Sequence, residues 1–131
     1  LSLIHPCTLT LYLQYEVIRF VGLILLSVSL ILNILAYRMF KNHLTSHVPF
    51  STPKVLIDGG VFAWSRNPVY LALVLSQCGL GFVLDRVWLL LSSLILWIIL
   101  HYLIVPDEEK ILEGLFNERY THYKQHTRRW F

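Results

Sequence analysis

The 131 residues are 56% hydrophobic and only 15% charged, with a formal net charge of +3 at pH 7. A soluble domain carries about 45–50% apolar and about 25% charged residues, and a disordered chain is polar and highly charged, so both classes are excluded. The basic residues hug the ends of apolar runs, which points to anionic lipid contact rather than nucleic acid. The length leaves room for one membrane domain over residues 1–131. Cys7 and Cys78 show neither metal-ligand spacing nor a disulfide framework.

Residues 1–19 start apolar, then carry Pro6, Gln14, Glu16 and Arg19. They lack the basic start of a signal peptide and are too polar for a span. They read as an interfacial segment, or as the remnant of a hairpin whose first half lies outside this chain. Three predicted transmembrane helices follow, at residues 20–37 (FVGLILLSVSLILNILAY), 68–84 (PVYLALVLSQCGLGFVL) and 87–105 (VWLLLSSLILWIILHYLIV). Each is apolar and, at 1.5 Å per residue, of a length to cross about 30 Å of hydrocarbon. Asp85-Arg86 leaves space only for a tight turn, so the last two form a hairpin. The expected fold is an all-α integral membrane protein, its three spans complete or part of a four-span bundle.

Arg38, Lys41, Lys54 and Arg66 lie between the first two spans, and Lys110, Arg119, Lys124, Arg128 and Arg129 follow the third. With three spans both regions fall on one side, which the positive-inside rule makes cytoplasmic. After Val105 the chain changes character. Pro106 and the acidic Asp107, Glu108 and Glu109 suit a helix start. Ile111, Leu112, Leu115, Phe116, Tyr120 and Tyr123 recur at helical spacing, predicting one amphipathic helix over 107–125 along the membrane surface. Trp130 and Phe131 behind Arg128-Arg129 read as an interfacial anchor.

Polar groups collect in the loop 54–70 and at Asp107–Glu109. Asp58-Gly59-Gly60 is a turn signal, serving as a loop reversal or as bare backbone for a ligand. Asn67 and Pro68 read as the cap and first residue of a helix. Arg66 either snorkels or pairs with Glu108 or Glu109. Those carboxylates complement a helix dipole or accept hydrogen bonds from a cationic or polyhydroxyl ligand. His43/His47 and His122/His126 have the i, i+4 spacing of a zinc pair but no third ligand nearby, so surface histidines are favoured and no metal is expected. His101, inside an apolar run, lines a pocket or bonds between helices. Asn33 and Gln77 read as interhelical polar contacts.

Taken in order, Gly60-Val61-Phe62, Ser65-Arg66-Asn67-Pro68-Val69-Tyr70, Glu108-Glu109, Leu112, Phe116, Tyr120, Tyr123 and Arg128-Arg129-Trp130 resemble the isoprenylcysteine carboxyl methyltransferase and phospholipid methyltransferase superfamily. The Ser-Arg-Asn-Pro and Arg-Arg-Trp variants are similar to its small bacterial members. The resemblance implies S-adenosylmethionine as methyl donor, S-adenosylhomocysteine as product, and a lipophilic or small acceptor, amine or carboxylate. It also implies a bacterial inner-membrane location, with the cofactor site and C-terminus cytoplasmic. Carried over by position, Lys54, Val55, Leu56 and Ile57 line the cofactor through backbone groups. Gly60, Phe62, Arg66 and Asn67 adjoin it, Tyr70 shapes its pocket, Glu108 binds its polar or cationic part and Glu109 supports. Asn67 stands where histidine is common and Asn117 where glycine is usual, asparagine being the next-best residue for positive φ. Ile104 stands where prenylcysteine methyltransferases place a substrate arginine, which points away from a prenylcysteine carboxylate. The competing readings are a sterol-reductase-like enzyme binding NADPH and a non-enzymatic helical scaffold.

Overall fold

The computed structural model describes residues 6–43 and 55–131, with side chains from residue 11 onward. Lys54, Cys7 and His47 lie outside the described residues or side chains. The chain forms α1 (Pro6–Asn42), α2 (Pro68–Val83), α3 (Val87–Ile99), α4 (Val105–Phe116) and α5 (Glu118–His126). A 3₁₀ turn, Gly60–Ala63, precedes α2, and a π-helical turn, Leu100–Ile104, joins α3 to α4 in one rod.

The three-span expectation is overturned. Two described helices are long and apolar enough to cross a membrane: Leu11–Asn42, of 32 residues, and Val87–Phe116, of 30. The second apolar run yields only the 16 residues of α2, about 24 Å of helix against roughly 30 Å of hydrocarbon. Leu84 is spent on its cap and Asp85, at φ 51°, takes the left-handed position that reverses the chain. Arg86 N–H then closes onto Gly81 O at 2.9 Å, the bond of a Schellman turn.

Both flanking expectations also change. The residues preceding 20 are not a separate interfacial segment from Pro6 on, because α1 runs through them without a break. Nor is 107–125 one helix. The rod begun at Val87 continues to Phe116, and the chain breaks at Asn117 (φ 51°) before α5. Pro106 lacks the N–H that an α-helix needs there. The wider turn ahead of it, with Val105 N–H bonded to Leu100 O, lets the rod pass that gap. Positive φ at Asn117 agrees with the expectation for that position.

Small residues let α1 and α2 meet closely. A Cβ on Gly22 would come within 2.7 Å of Gly79 O, and one on Gly79 within 2.9 Å of Gly22 O. Further along, Ser29 Oγ donates to Ala72 O at 2.7 Å, and Ala36 and Ala72 are fully buried. On the other flank of α2, Gln77 Nε2 donates to Ser92 Oγ of α3. Asn33 makes no such contact among the described residues; it is exposed on α1. Most large side chains of α1 and α3 point outward, as lipid-facing surfaces require.

This antiparallel packing brings the C-terminal end of α1, the N-terminal end of α2 and the α4–α5 segment together. Ala36, Leu56, Ile57, Phe62, Tyr120 and Tyr123 form the buried cluster there, with Met39, Phe40, Leu112 and Phe116 around it.

Candidate functional site

The segment ahead of α2 is fixed by its own apolar residues. Leu56 and Ile57 are buried in the cluster, whereas Val55 is exposed. Gly60 sits at φ +59°, and a Cβ there would come 2.8 Å from the Met39 sulfur. Its bareness therefore has a packing reason as well as a conformational one. Phe62 is buried, edge-on to Phe40 at 5.5 Å, and its carbonyl accepts the Tyr123 hydroxyl at 2.6 Å.

Two adjacent glutamates then take different partners. Glu108 accepts the Tyr70 hydroxyl, so the start of α2 and the start of α4 are tied together. Glu109, only 7% exposed, lies between two arginines. Arg66 Nη1 donates to its Oε1 at 3.1 Å, while Arg129 engages both oxygens, Nε to Oε1 at 3.0 Å and Nη2 to Oε2 at 2.9 Å. Of the alternatives open to Arg66, pairing with Glu109 is the one adopted. Charge-assisted bidentate geometry of this kind is strong and orienting.

The tail after α5 is folded into this cluster. Arg66 N–H donates to Arg128 O at 3.0 Å, Asn67 Nδ2 to Arg129 O at 3.1 Å, and Thr127 Oγ1 to Ala63 O at 3.4 Å. Trp130 Nε1 donates to His101 Nδ1 at 3.0 Å. The anchor expectation for Arg128–Phe131 is thus corrected: Arg129 and Trp130 are engaged inside the protein. Phe131 alone of the aromatic pair stays mostly exposed, stacked on Trp64 at 6.4 Å. The cap expectation for Asn67 changes too. It occupies the N-cap position of α2, but its side chain makes no cap bond and turns to the tail.

Burial pushes the Tyr120 hydroxyl above its ordinary range, helped by the Glu109 charge and opposed by Arg66. Burial likewise raises Tyr123, with Tyr120 next in effect. Both hydroxyls stay protonated at neutral pH; Tyr123 donates to Phe62 O, and Tyr120 accepts from Arg66 Nη1 at 3.5 Å.

The structure therefore gathers Phe62, Arg66, Asn67, Tyr70, Glu108 and Glu109 at one end of the molecule. Leu56, Ile57 and Gly60 enter the supporting cluster through packing. Sequence reasoning placed Tyr120, Tyr123 and Arg129 in the motif and gave His101 a pocket or interhelical role, but did not assign any of them its partner in this network. The available signal was an arginine following two carboxylates in a chain poor in charge, but partners 20 to 64 residues apart carry no spacing rule. His122 and His126 remain exposed on α5, their rings 4.1 Å apart.

No curated protein matches the chain. The family profile described as phospholipid methyltransferase matches residues 17–119, a stretch that holds α1 from residue 17 on, the loop, the hairpin and both glutamates. The chain belongs to the phospholipid methyltransferase family.

Proposed function

We propose that this protein transfers a methyl group from S-adenosylmethionine to a lipophilic or small acceptor, an amine or a carboxylate, at the cytoplasmic face of a membrane. Residues 1–131 act as a single domain in this reading. The family match over residues 17–119 carries it, and the convergence of the loop before α2 with Glu108 supports the location of the site.

The residues present suit the cofactor's chemistry. Arg66 Nε is buried with no hydrogen-bond partner among the described residues, a donor suited to an anionic oxygen such as an amino-acid carboxylate. Glu108 supplies a carboxylate for an ammonium or for ribose hydroxyls. Asn67 and Tyr70 flank these groups, and Val55, Leu56, Ile57, Gly60 and Phe62 contribute backbone. Glu109 orients Arg66. When bound, S-adenosylmethionine supplies an electrophilic methyl: the acceptor's lone pair forms the new bond while the C–S electrons return to sulfur and neutralise the sulfonium.

For this displacement the protein has to align the two groups, exclude water and keep the site polar without pairing the sulfonium too strongly. The Tyr70–Glu108 bond takes up part of that carboxylate's charge. The Arg66–Glu109–Arg129 cluster fixes the backbone before α2 and closes the site with the tail.

Calorimetric titration of detergent-purified protein with S-adenosylhomocysteine tests the reading. Saturable binding is expected, weakened about ten-fold or more in Glu108→Gln, the size of a lost hydrogen bond to a charged group. NADPH should not bind. A folded wild-type protein that ignores S-adenosylhomocysteine would overturn the proposal.

A further inference from the structure

Asn67 stands at the N-cap position of α2, where an asparagine side chain ordinarily bonds an N–H of the first turn. It makes no such bond. Its Nδ2 donates to Arg129 O at 3.1 Å instead, and Ser65 Oγ donates to the same carbonyl at 3.5 Å. A carbonyl can only accept, so the amide is fixed with Nδ2 toward the tail and Oδ1 turned away from it. The neighbouring Arg66 N–H donates to Arg128 O at 3.0 Å. Two tail carbonyls thus set the Asn67 amide and the Arg66 backbone, and whatever docks the tail sets both.

Glu109 holds the tail from one side, through Arg129. From the other side it is held by His101, on the π-helical turn that joins α3 to α4, a kind of turn frequent at functional sites. Trp130 Nε1–H donates to His101 Nδ1 at 3.0 Å, and Arg129 Nη1 lies 3.3 Å from the same nitrogen. Indole and guanidinium can only donate, so Nδ1 accepts and the ring proton sits on Nε2. Arg129 Nη1 also donates to the His101 carbonyl at 3.3 Å. Trp97 stacks on the imidazole at 5.0 Å and Tyr102 meets it edge-on at 4.7 Å, which fixes the direction of the Nδ1 lone pair.

We infer that His101 is a positioning residue of the candidate site. Its Nδ1 docks Arg129 and Trp130, and the docked tail presents Asn67 with Oδ1 available to an N–H donor on the cofactor, its ammonium or its adenine amino group. This role rests on the methyl-transfer reading of the same site. An acceptor is what the latch requires. A ring of similar size without one leaves the Trp130 N–H and one Arg129 N–H short of a partner.

The test compares wild type, His101→Phe and His101→Asn as detergent-purified full chains. Phenylalanine keeps a ring for Trp97 but has no acceptor, whereas asparagine Oδ1 is an acceptor as many bonds from the backbone as Nδ1. Calorimetry reads S-adenosylhomocysteine affinity, and mass spectrometry after limited carboxypeptidase digestion reads whether Trp130 is protected. His101→Phe should lose Trp130 faster and bind S-adenosylhomocysteine about ten-fold more weakly, the size of a lost hydrogen bond to a charged group. His101→Asn should bring both readouts back to within about three-fold of wild type, as a replaced neutral hydrogen bond would. Wild-type affinity in His101→Phe, or a tail still protected there, overturns this role. An equal loss in His101→Asn overturns it too, since packing of the ring would then be the cause. If His101→Phe does not fold, Trp130→Phe removes the donor from the other side of the same bond. It should weaken binding about three-fold, because Arg129 still engages Nδ1, and unchanged affinity overturns the role. A wild type that binds no S-adenosylhomocysteine overturns the methyl-transfer reading and this role with it; a wild type and a His101→Phe that bind equally well overturn this role alone.

Discussion

Where α1 crosses α2, glycine, alanine and serine let the backbones approach between leucines such as Leu32 and Leu71, and within the α2–α3 hairpin the side-chain polar pair among the described residues is Gln77–Ser92. At the other end of the same helices, the contacts are an arginine–glutamate–arginine cluster, four tyrosine and tryptophan hydrogen bonds, and a tail laid across the start of α2. The difference follows from solvent. Among apolar side chains in lipid, burial gives no hydrophobic gain, so close backbone approach and van der Waals contact hold the helices. At the polar end, buried groups must find partners or destabilise the fold. The helix crossing is therefore tolerant of polar deletion and intolerant of added bulk, whereas the other end is intolerant of polar deletion.

The largest expected effect breaks the polar end. Glu109→Gln leaves Arg66 and Arg129 facing each other without the shared anion, a change on the order of 3–5 kcal/mol for a buried pair. Thermal unfolding in detergent should show a large drop or no folded protein. A shift under about 1 kcal/mol would mean that the cluster is solvated and the contrast between the ends is false.

Next comes added bulk at the helix crossing. Gly79→Val has to displace the Gly22 carbonyl and the Leu26 side chain, costing about 1–3 kcal/mol as overpacking. The same substitution at Gly114, which has open space around it, is the control and should move stability only by helix propensity, about 0.5 kcal/mol or less. Equal losses at both positions would contradict the close-approach account.

A smaller effect concerns the tyrosines of α5. Tyr123→Phe removes the bond to Phe62 O and should cost about 1 kcal/mol. Because the folded-state pKa of Tyr123 is raised, the unfolded chain loses its proton first as pH climbs past the ordinary value near 10. The contribution is intact below that value and is lost as pH rises from there toward the folded-state value. Chemical unfolding from pH 8 to 11 should show this decline, and Tyr123→Phe should flatten part of it. The smallest effect belongs to Gln77→Leu, about 0.6 kcal/mol, in line with hydrogen bonds between membrane helices. A loss matching that of Glu109→Gln would erase the distinction between the two ends.

Much of the polar end was legible before folding. Arg66, Asn67, Tyr70 and the two glutamates stand out because charge and amide groups are scarce in this chain. Gly60 and Asn117 announce positive φ by residue type, and both adopt it. What composition did not distinguish was Glu108 from Glu109. They are neighbours with the same chemistry, and helical geometry points one toward Tyr70 and the other between two arginines.

Hydropathy alone determined that this is an all-α, membrane-associated chain with a polar end, since apolar length and the positions of glycine and charge are local properties. The tertiary structure decided how many helices are long enough to span. The turn at Leu84–Arg86 shortens α2, and the π-helical turn before Pro106 joins two predicted helices into one rod. It also decided that the arginine–tryptophan tail belongs to the site. A hydrogen bond between Arg129 and Glu109, or Trp130 and His101, depends on where two helix ends meet in space, and no periodicity in the sequence encodes that meeting.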